Sequence, residues 1–159
     1  MIIRTSLLAG ALLSILLVFS TSSCKKCKLS EGEQNSGMII QDVIIYPDSG
    51  YLTEYGGAKH VYGGSGYEDR FEVSFDGGAT REPVNYSQYS ILSNAISVPC
   101  EASLNRSVTY NAALDFYTYE LSGETCNGCG TERYIENYVL VEAIPGGAVI
   151  VYEQNVNPK

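Results

Sequence analysis

YIENYVLVEAI at residues 134–144, PGG at 145–147 and AVIVYE at 148–153 form the clearest passage of the 159-residue chain, and its reading decides the fold. Both outer runs are rich in Val, Ile and Tyr, whose branched or aromatic side chains suit a pleated surface. The Pro-Gly-Gly between them is turn chemistry, so the passage reads as a β-hairpin. Further back, residues 70–75 alternate, with Phe71, Val73 and Phe75 on one face and Glu72 and Ser74 on the other, as a half-buried strand requires. Asp76-Gly77-Gly78 closes that run as a turn. MIIQDVIIY, residues 38–46, reads as a first strand, ended by the turn cluster Pro47-Asp48-Ser49-Gly50.

Between these, strand-like runs recur at roughly ten-residue spacing, at 89–92, 95–98, 107–110 and 116–121. Nowhere do apolar residues recur at helical spacing over three turns. The expected fold class is therefore all-β, an antiparallel β-sandwich of about seven to nine strands, with a small β-barrel as the other architecture. The strand pattern resembles immunoglobulin-like domains, although the chain has no Trp to complete the Cys–Trp–Cys signature of the true ones. Residues 74–80, SFDGGAT, are similar to the Asp-box hairpin of sialidase-type propellers. Arg81 stands where that box has an aromatic, and the box occurs once, so it is read as a turn and not as a glycosidase site.

The first twenty-four residues set the address. Arg4 is a short positive region, residues 6–19 are an apolar run, and small residues lead to Cys24, the pattern of an export signal. The apolar run is about 14 residues, shorter than the roughly 20 that a spanning helix needs. Thr21-Ser22-Ser23-Cys24 resembles the lipobox of bacterial lipoproteins, with Thr21 in place of the usual leucine. The resemblance implies a signal peptide over residues 1–23 and a mature chain beginning at Cys24, whose thiol carries diacylglycerol with palmitate-like chains. Each buried CH₂ contributes about 0.8 kcal/mol, so two or three chains make a lasting membrane anchor. Lys25 rather than Asp follows the lipid site, which implies the outer membrane. The run Lys25-Lys26-Cys27-Lys28, basic rather than acidic, implies a periplasm-facing position.

Residues 24–37 then read as a flexible tether and 38–159 as one domain. Lys25, Lys26 and Lys28 gather beside the lipid, whereas all 18 Asp and Glu lie beyond them. The basic tether can reinforce attachment to anionic head groups. The acidic body has no basic patch with which to displace counterions, which excludes nucleic acid as a partner.

Export places the cysteines where disulfides persist. With Cys24 acylated, Cys27, Cys100, Cys126 and Cys129 remain, and three complete pairings are open. Cys27 lies in the tether, so Cys100 with Cys126 or Cys129 is the first expectation; closing about 26 or 29 residues would contribute about 3–4 kcal/mol. A local Cys126–Cys129 bridge is the second. The same CxxC pair admits a thiol–disulfide redox protein, but Gly130-Thr131-Glu132-Arg133 and a strand follow it, where a redox site would open a helix. Paired zinc knuckles are missing, so no metal is expected. His60 is the only histidine and has no evident orienting partner, no carboxylate pair stands out as general acid and base, and the Gly-Gly pairs lack the Lys-Ser/Thr of a phosphate loop.

The chain thus promises no enzyme and no cofactor. The remaining candidate is the Gly- and Tyr-rich stretch 51–69, where Tyr51, Tyr55, Tyr62 and Tyr67 could stack on a glycan or peptide. The bland reading of that stretch is a pair of short strands with tight turns. The functional expectation is a non-catalytic binding or structural domain whose partner is an envelope protein, a peptide or a glycan.

Overall fold

The computed structural model describes residues 28–29, 32–54, 57–99, 101–126 and 132–159. Ten strands dominate: β1 (Asn35–Gly37), β2 (Ile44–Pro47), β3 (Lys59–Val61), β4 (Phe71–Ser74), β5 (Glu82–Pro83), β6 (Tyr89–Val98), β7 (Ala102–Asn111), β8 (Phe116–Thr125), β9 (Arg133–Glu142) and β10 (Val149–Pro158). One six-residue helix, α1 (Ser49–Glu54), and one 3-10 turn (Glu68–Arg70) interrupt them. The fold is an all-β sandwich, with no closed barrel among the described residues.

Three sheets make it up, ordered β1-β7-β8-β10, β3-β6-β9 and β2-β4-β5. The β3-β6-β9 sheet lies between the other two. On β6 the even-numbered Leu92, Ile96 and Val98, with Val139 and Val141 of β9, pack against Leu104, Val108, Tyr119 and Leu121 of β7 and β8. From the opposite face Ile91 and Leu140 pack with Phe71, Val73, Val61 and Tyr51. A sheet covered on both sides cannot show the apolar/polar alternation of a half-exposed one. Accordingly, β6 is almost continuously buried.

That burial explains why the runs 89–92 and 95–98, expected as separate strands, are one. Ser93 and Asn94 look like a break in sequence but sit in mid-strand with their polar groups paired. Ser93 Oγ donates to the Gly57 carbonyl at 3.0 Å, and Asn94 Nδ2 donates to the Glu153 carbonyl at 3.4 Å. Gln154 Nε2 donates back to Asn94 Oδ1 at 3.0 Å, so a buried amide joins β6 to β10.

The hairpin expected across residues 134–153 is not formed. β9 pairs antiparallel with β6, whereas β10 crosses to the other sheet and pairs in parallel with β8, from Val149 opposite Phe116 to Pro158 opposite Thr125. Pro145-Gly146-Gly147 does reverse the chain, but as an arch between sheets. The reason is competition for edges: the edge of β9 beside Val141 is taken by Ile39, and β8 offers a free edge ten residues long. Ile150, Tyr152 and Val156 then point into the core.

The expected first strand over residues 38–46 is likewise divided. Asn35–Gly37, assigned by composition to the tether, pairs in parallel with Arg106–Val108, so the folded domain begins before residue 38. Ile39 bridges Val141, Asp42 turns the chain with a φ of 56°, and Ile44–Pro47 joins β4 instead. The β7–β8 hairpin is regular, with ten pairs from Ala102–Thr125 to Asn111–Phe116.

Gly123, opposite Leu104 in that ladder, has a φ of 153°, and a Cβ there would lie 2.0 Å from the Ser103 carbonyl oxygen. Gly147, in the arch, has nothing within 4 Å of such a Cβ. Gly123→Ala is therefore expected to lower unfolding free energy by about 2–4 kcal/mol, and Gly147→Ala to change it by less than about 0.5 kcal/mol. Urea denaturation of the two variants checks this; equal losses would refute the close approach.

Candidate functional site

The edge of β9 away from β6 is only partly covered among the described residues. Ile40 donates its N–H to the Leu140 carbonyl at 2.8 Å, and Ile39 forms an isolated antiparallel bridge with Val141. Beyond Asp42 the chain leaves to join β4, so among the described residues nothing pairs with Arg133–Val139 on that side. Backbone direction alternates along a strand. Because Leu140 offers its carbonyl to that side, the backbone groups of Tyr138 and Glu136 face the same way.

A cleft of about 280 Å³ borders this edge, lined by the apolar Ile39, Ile40, Val43, Ile44, Ile45, Val139 and Leu140 and by Asn35, Arg106, Glu136, Asn137 and Tyr138. Strand parity delivers the polar members. Leu104 and Val108 of β7 face the core, so Arg106 between them starts inward, and its guanidinium emerges to pair with Glu33. Asn137 shares its parity with Val139 and Val141 and is 5 % exposed.

Three buried polar atoms of this lining have no hydrogen-bond partner among the described residues: Arg106 Nε, Asn137 Nδ2 and Glu136 Oε1. The other Glu136 oxygen accepts the Tyr138 hydroxyl. Burial pushes the Glu136 carboxyl above the usual glutamate range. An unsatisfied buried polar group costs about 1–3 kcal/mol, so three in one cleft are a stored capacity for hydrogen bonding. Arg106 and Asn137 offer donors to a carbonyl or carboxylate, and the isoleucines and Val43 offer an apolar wall. Among the described lining residues the titratable side chains are Arg106, Glu136 and Tyr138. This arrangement can hold a ligand through donors, an acceptor and an apolar wall.

Of the tyrosines singled out in the sequence, the three described ones do not form a common stacking platform. Tyr51 is 0 % exposed, a correction to its assignment as a loop ligand residue. Helix α1 carries it into the core, where its ring lies 4.8 Å from Phe71 and 6.0 Å from Tyr67, both edge-on. Tyr67 is half-buried against the same cluster. Tyr62 lies elsewhere, 4.8 Å from the His60 ring, and covers Gly146, where a Cβ would come within 2.2 Å of it. Tyr55 lies outside the described residues. His60 is itself half-buried on β3, and burial lowers its pKa.

Among the cysteines, Cys126 is described: it is 3 % exposed and disulfide-bonded. Its partner lies outside the described residues, as do Cys24, Cys27, Cys100 and Cys129. Its N–H donates to the Glu101 carbonyl at 2.9 Å, extending the β7–β8 ladder by one step. Cys126 thus directly continues strand β8. Among the described residues no three His, Cys, Asp or Glu side chains gather to hold a metal ion.

The box-like turn after β4 is built around Asp76. Ser74 Oγ donates to Asp76 Oδ1 at 2.7 Å, and Thr80 donates its amide to Oδ1 at 2.9 Å and its hydroxyl to Oδ2 at 2.6 Å. Ser74 Oγ also accepts the Gly78 N–H at 2.9 Å. The Ser74 bond first, then those from Thr80, hold the Asp76 carboxyl far below the usual aspartate range.

The cleft residues went unmarked in the sequence because each stands alone: Arg106 in a polar stretch, Asn137 as one amide in YIENYVLV. The available signal was parity, with Arg106 falling between Leu104 and Val108, and Asn137 two residues before Val139. No protein-family model, curated protein or solved structure matches the chain.

Two outcomes follow from the turn and the disulfide. A carboxylate whose folded pKa is depressed stabilises the fold above its unfolded value, near 3.9, and that stability is lost as pH falls below it. The stability gap between wild type and Asp76→Ala is thus expected to be full at pH 7 and to shrink from about pH 5 to about pH 2; a gap constant in acid titration would contradict the turn's role. Cys126→Ser is expected to cost about 2–5 kcal/mol in denaturant melts. Peptide mapping of the non-reduced chain identifies the bonded partner.

Proposed function

We propose that the chain is an envelope lipoprotein, acylated at Cys24 and held at the outer membrane facing the periplasm, whose β domain acts by binding rather than by catalysis. The observation that carries the binding reading is the β9 cleft, which combines an apolar wall with three polar atoms unpartnered among the described residues. The address rests on the sequence, where Thr21-Ser22-Ser23-Cys24 follows an apolar run and three lysines lie just beyond the cysteine. Partners of this domain are other envelope components, a protein segment, a peptide or a glycan. The cleft supports a ligand offering carbonyl or carboxylate acceptors beside apolar groups.

The competing activity is thiol–disulfide exchange at Cys126 and Cys129. Catalytic exchange needs a thiolate that is exposed and lowered in pKa. Cys126 is buried and ends a strand, which supports a structural bridge. Failure of the full chain to reduce insulin, with the disulfide surviving mild reductant, agrees with the brace; rapid selective reduction would favour the enzyme.

The anchoring reading is tested by expressing the full chain in a Gram-negative host fed an alkynyl palmitate. Wild type is expected to carry the label and to sediment with outer membrane, and Cys24→Ser to lose the label and leave the membrane fraction. An unlabelled, unsedimented wild type would overturn it.

A further inference from the structure

We propose that the cleft receives an extended peptide segment as an added strand on β9, running antiparallel to it alongside Glu136–Tyr138 and alternating apolar side chains with short oxygen-bearing ones. The inference rests on the reading of this domain as a binding module and names the class of its ligand.

The chain itself supplies the template. Ile39 and Ile40 already sit on this edge in antiparallel register, with the bridge to Val141 and the 2.8 Å bond to the Leu140 carbonyl. Continued in a straight line, that segment would pass Val139 and Tyr138 and run toward Ile135. Asp42 instead turns it away with a φ of 56°, leaving the line vacant among the described residues. The backbone groups of Tyr138 and Glu136 face that vacancy with the orientation that Leu140 uses. Proteins commonly guard such edges with Pro, Lys or a bulge. Residues 133–139 contain no Pro or Lys; their charges are Arg133 at one end of the strand and Glu136, whose carboxyl pairs with the Tyr138 hydroxyl.

The two sides of the vacant line differ in chemistry, which sets the ligand's pattern. Asn137 faces the β7–β8 sheet, with Arg106 reaching the cleft from β7, and the unpartnered Asn137 Nδ2 and Arg106 Nε are both donors. Ile40, Val43 and Ile45 belong to the cluster on the opposite face of β9, where Glu136, of the same parity as Tyr138 and Leu140, adds the single unpartnered acceptor. A strand presents alternate side chains to opposite faces. An incoming strand would therefore set an Asn or Asp side chain toward Arg106 and Asn137, and a Val or Ile toward Val43 and Ile45. Main-chain pairing gives affinity and the alternating pockets give selectivity, as in other strand-addition complexes. At about 280 Å³ the cleft is at the small end for ligand sites, so the inserted segment is short.

The test uses the full chain in detergent micelles and, as probe, the pentapeptide Asn-Ile-Asn-Ile-Asn, acetylated and amidated so that no terminal charge contributes. Saturating peptide is expected to slow amide exchange at Glu136 and Tyr138 by about tenfold or more, with residues of β10 unaffected. N-methylation of the peptide's central amides should abolish the effect without altering the protein. Glu136→Pro removes one edge-facing donor, and Asn137→Leu one cleft donor; each is expected to weaken binding by about tenfold. Unchanged exchange at Glu136 and Tyr138, or equal binding of the N-methylated peptide, would overturn the proposal. So would acetamide or acetate occupying the cleft as strongly as the peptide, which would make it a small-molecule site. A chain that is acylated at Cys24 but ignores the peptide overturns this inference alone, whereas an unacylated chain that binds it overturns only the anchoring.

Discussion

The ladder between β6 and β9 is the constraint on which the remaining architecture depends. It runs ten pairs, from Tyr89–Glu142 to Val98–Arg133, and is covered by other sheets on both faces. Removing it would expose the two apolar clusters at once, because Leu92 and Val139 belong to one and Ile91 and Leu140 to the other. Burial on two faces also raises the cost of any unpaired polar group within it, since no water is available to compensate. Hence Ser90 Oγ accepts the Ile144 N–H at 3.0 Å, and Asn94 is tied to both Glu153 and Gln154.

The cleft is a direct result of the same ladder. A two-stranded core has two outer edges, and the chain covers them unequally. β3 pairs with β6 over Ile91–Ser93, and the Ile39–Ile40 segment covers only the Val141 end of β9. Asn137 is then held in the interior by the strand's parity while its Nδ2 finds no partner among the described residues. Polar groups in such positions are rarely retained where packing alone is at stake, because an apolar residue of like size would avoid the desolvation cost.

How much of this was legible depended on the range over which each interaction acts. The all-β character, the turn at Asp76-Gly77-Gly78 and strands β4, β8 and β9 follow from local alternation and turn residues, and they are found. The partner of β10 could not be read, because Pro145-Gly146-Gly147 records that the chain reverses but not which edge is free to receive it. Tyr51 was misplaced for a related reason. Its glycine- and tyrosine-rich surroundings resemble an exposed loop, whereas the ring enters the core through the packing of Phe71, Tyr67 and Tyr138, which are distant in sequence. The cleft was hidden for the same reason, since Arg106 and Asn137 meet only after β1, β7 and β9 are assembled.

The parallel pairing of β1 with β7 also has a mechanical side. The Gln34 carbonyl accepts the Arg106 N–H at 2.8 Å, Met38 donates to the Val108 carbonyl at 2.8 Å, and Glu33 pairs with the Arg106 guanidinium. A pull arriving through Gln34 along the strand axis would load these bonds side by side in shear instead of peeling them singly. The start of the domain would then resist tension as a unit, and the force would pass into β7, an inner strand of the hydrogen-bonded sheet, rather than into a loose surface loop.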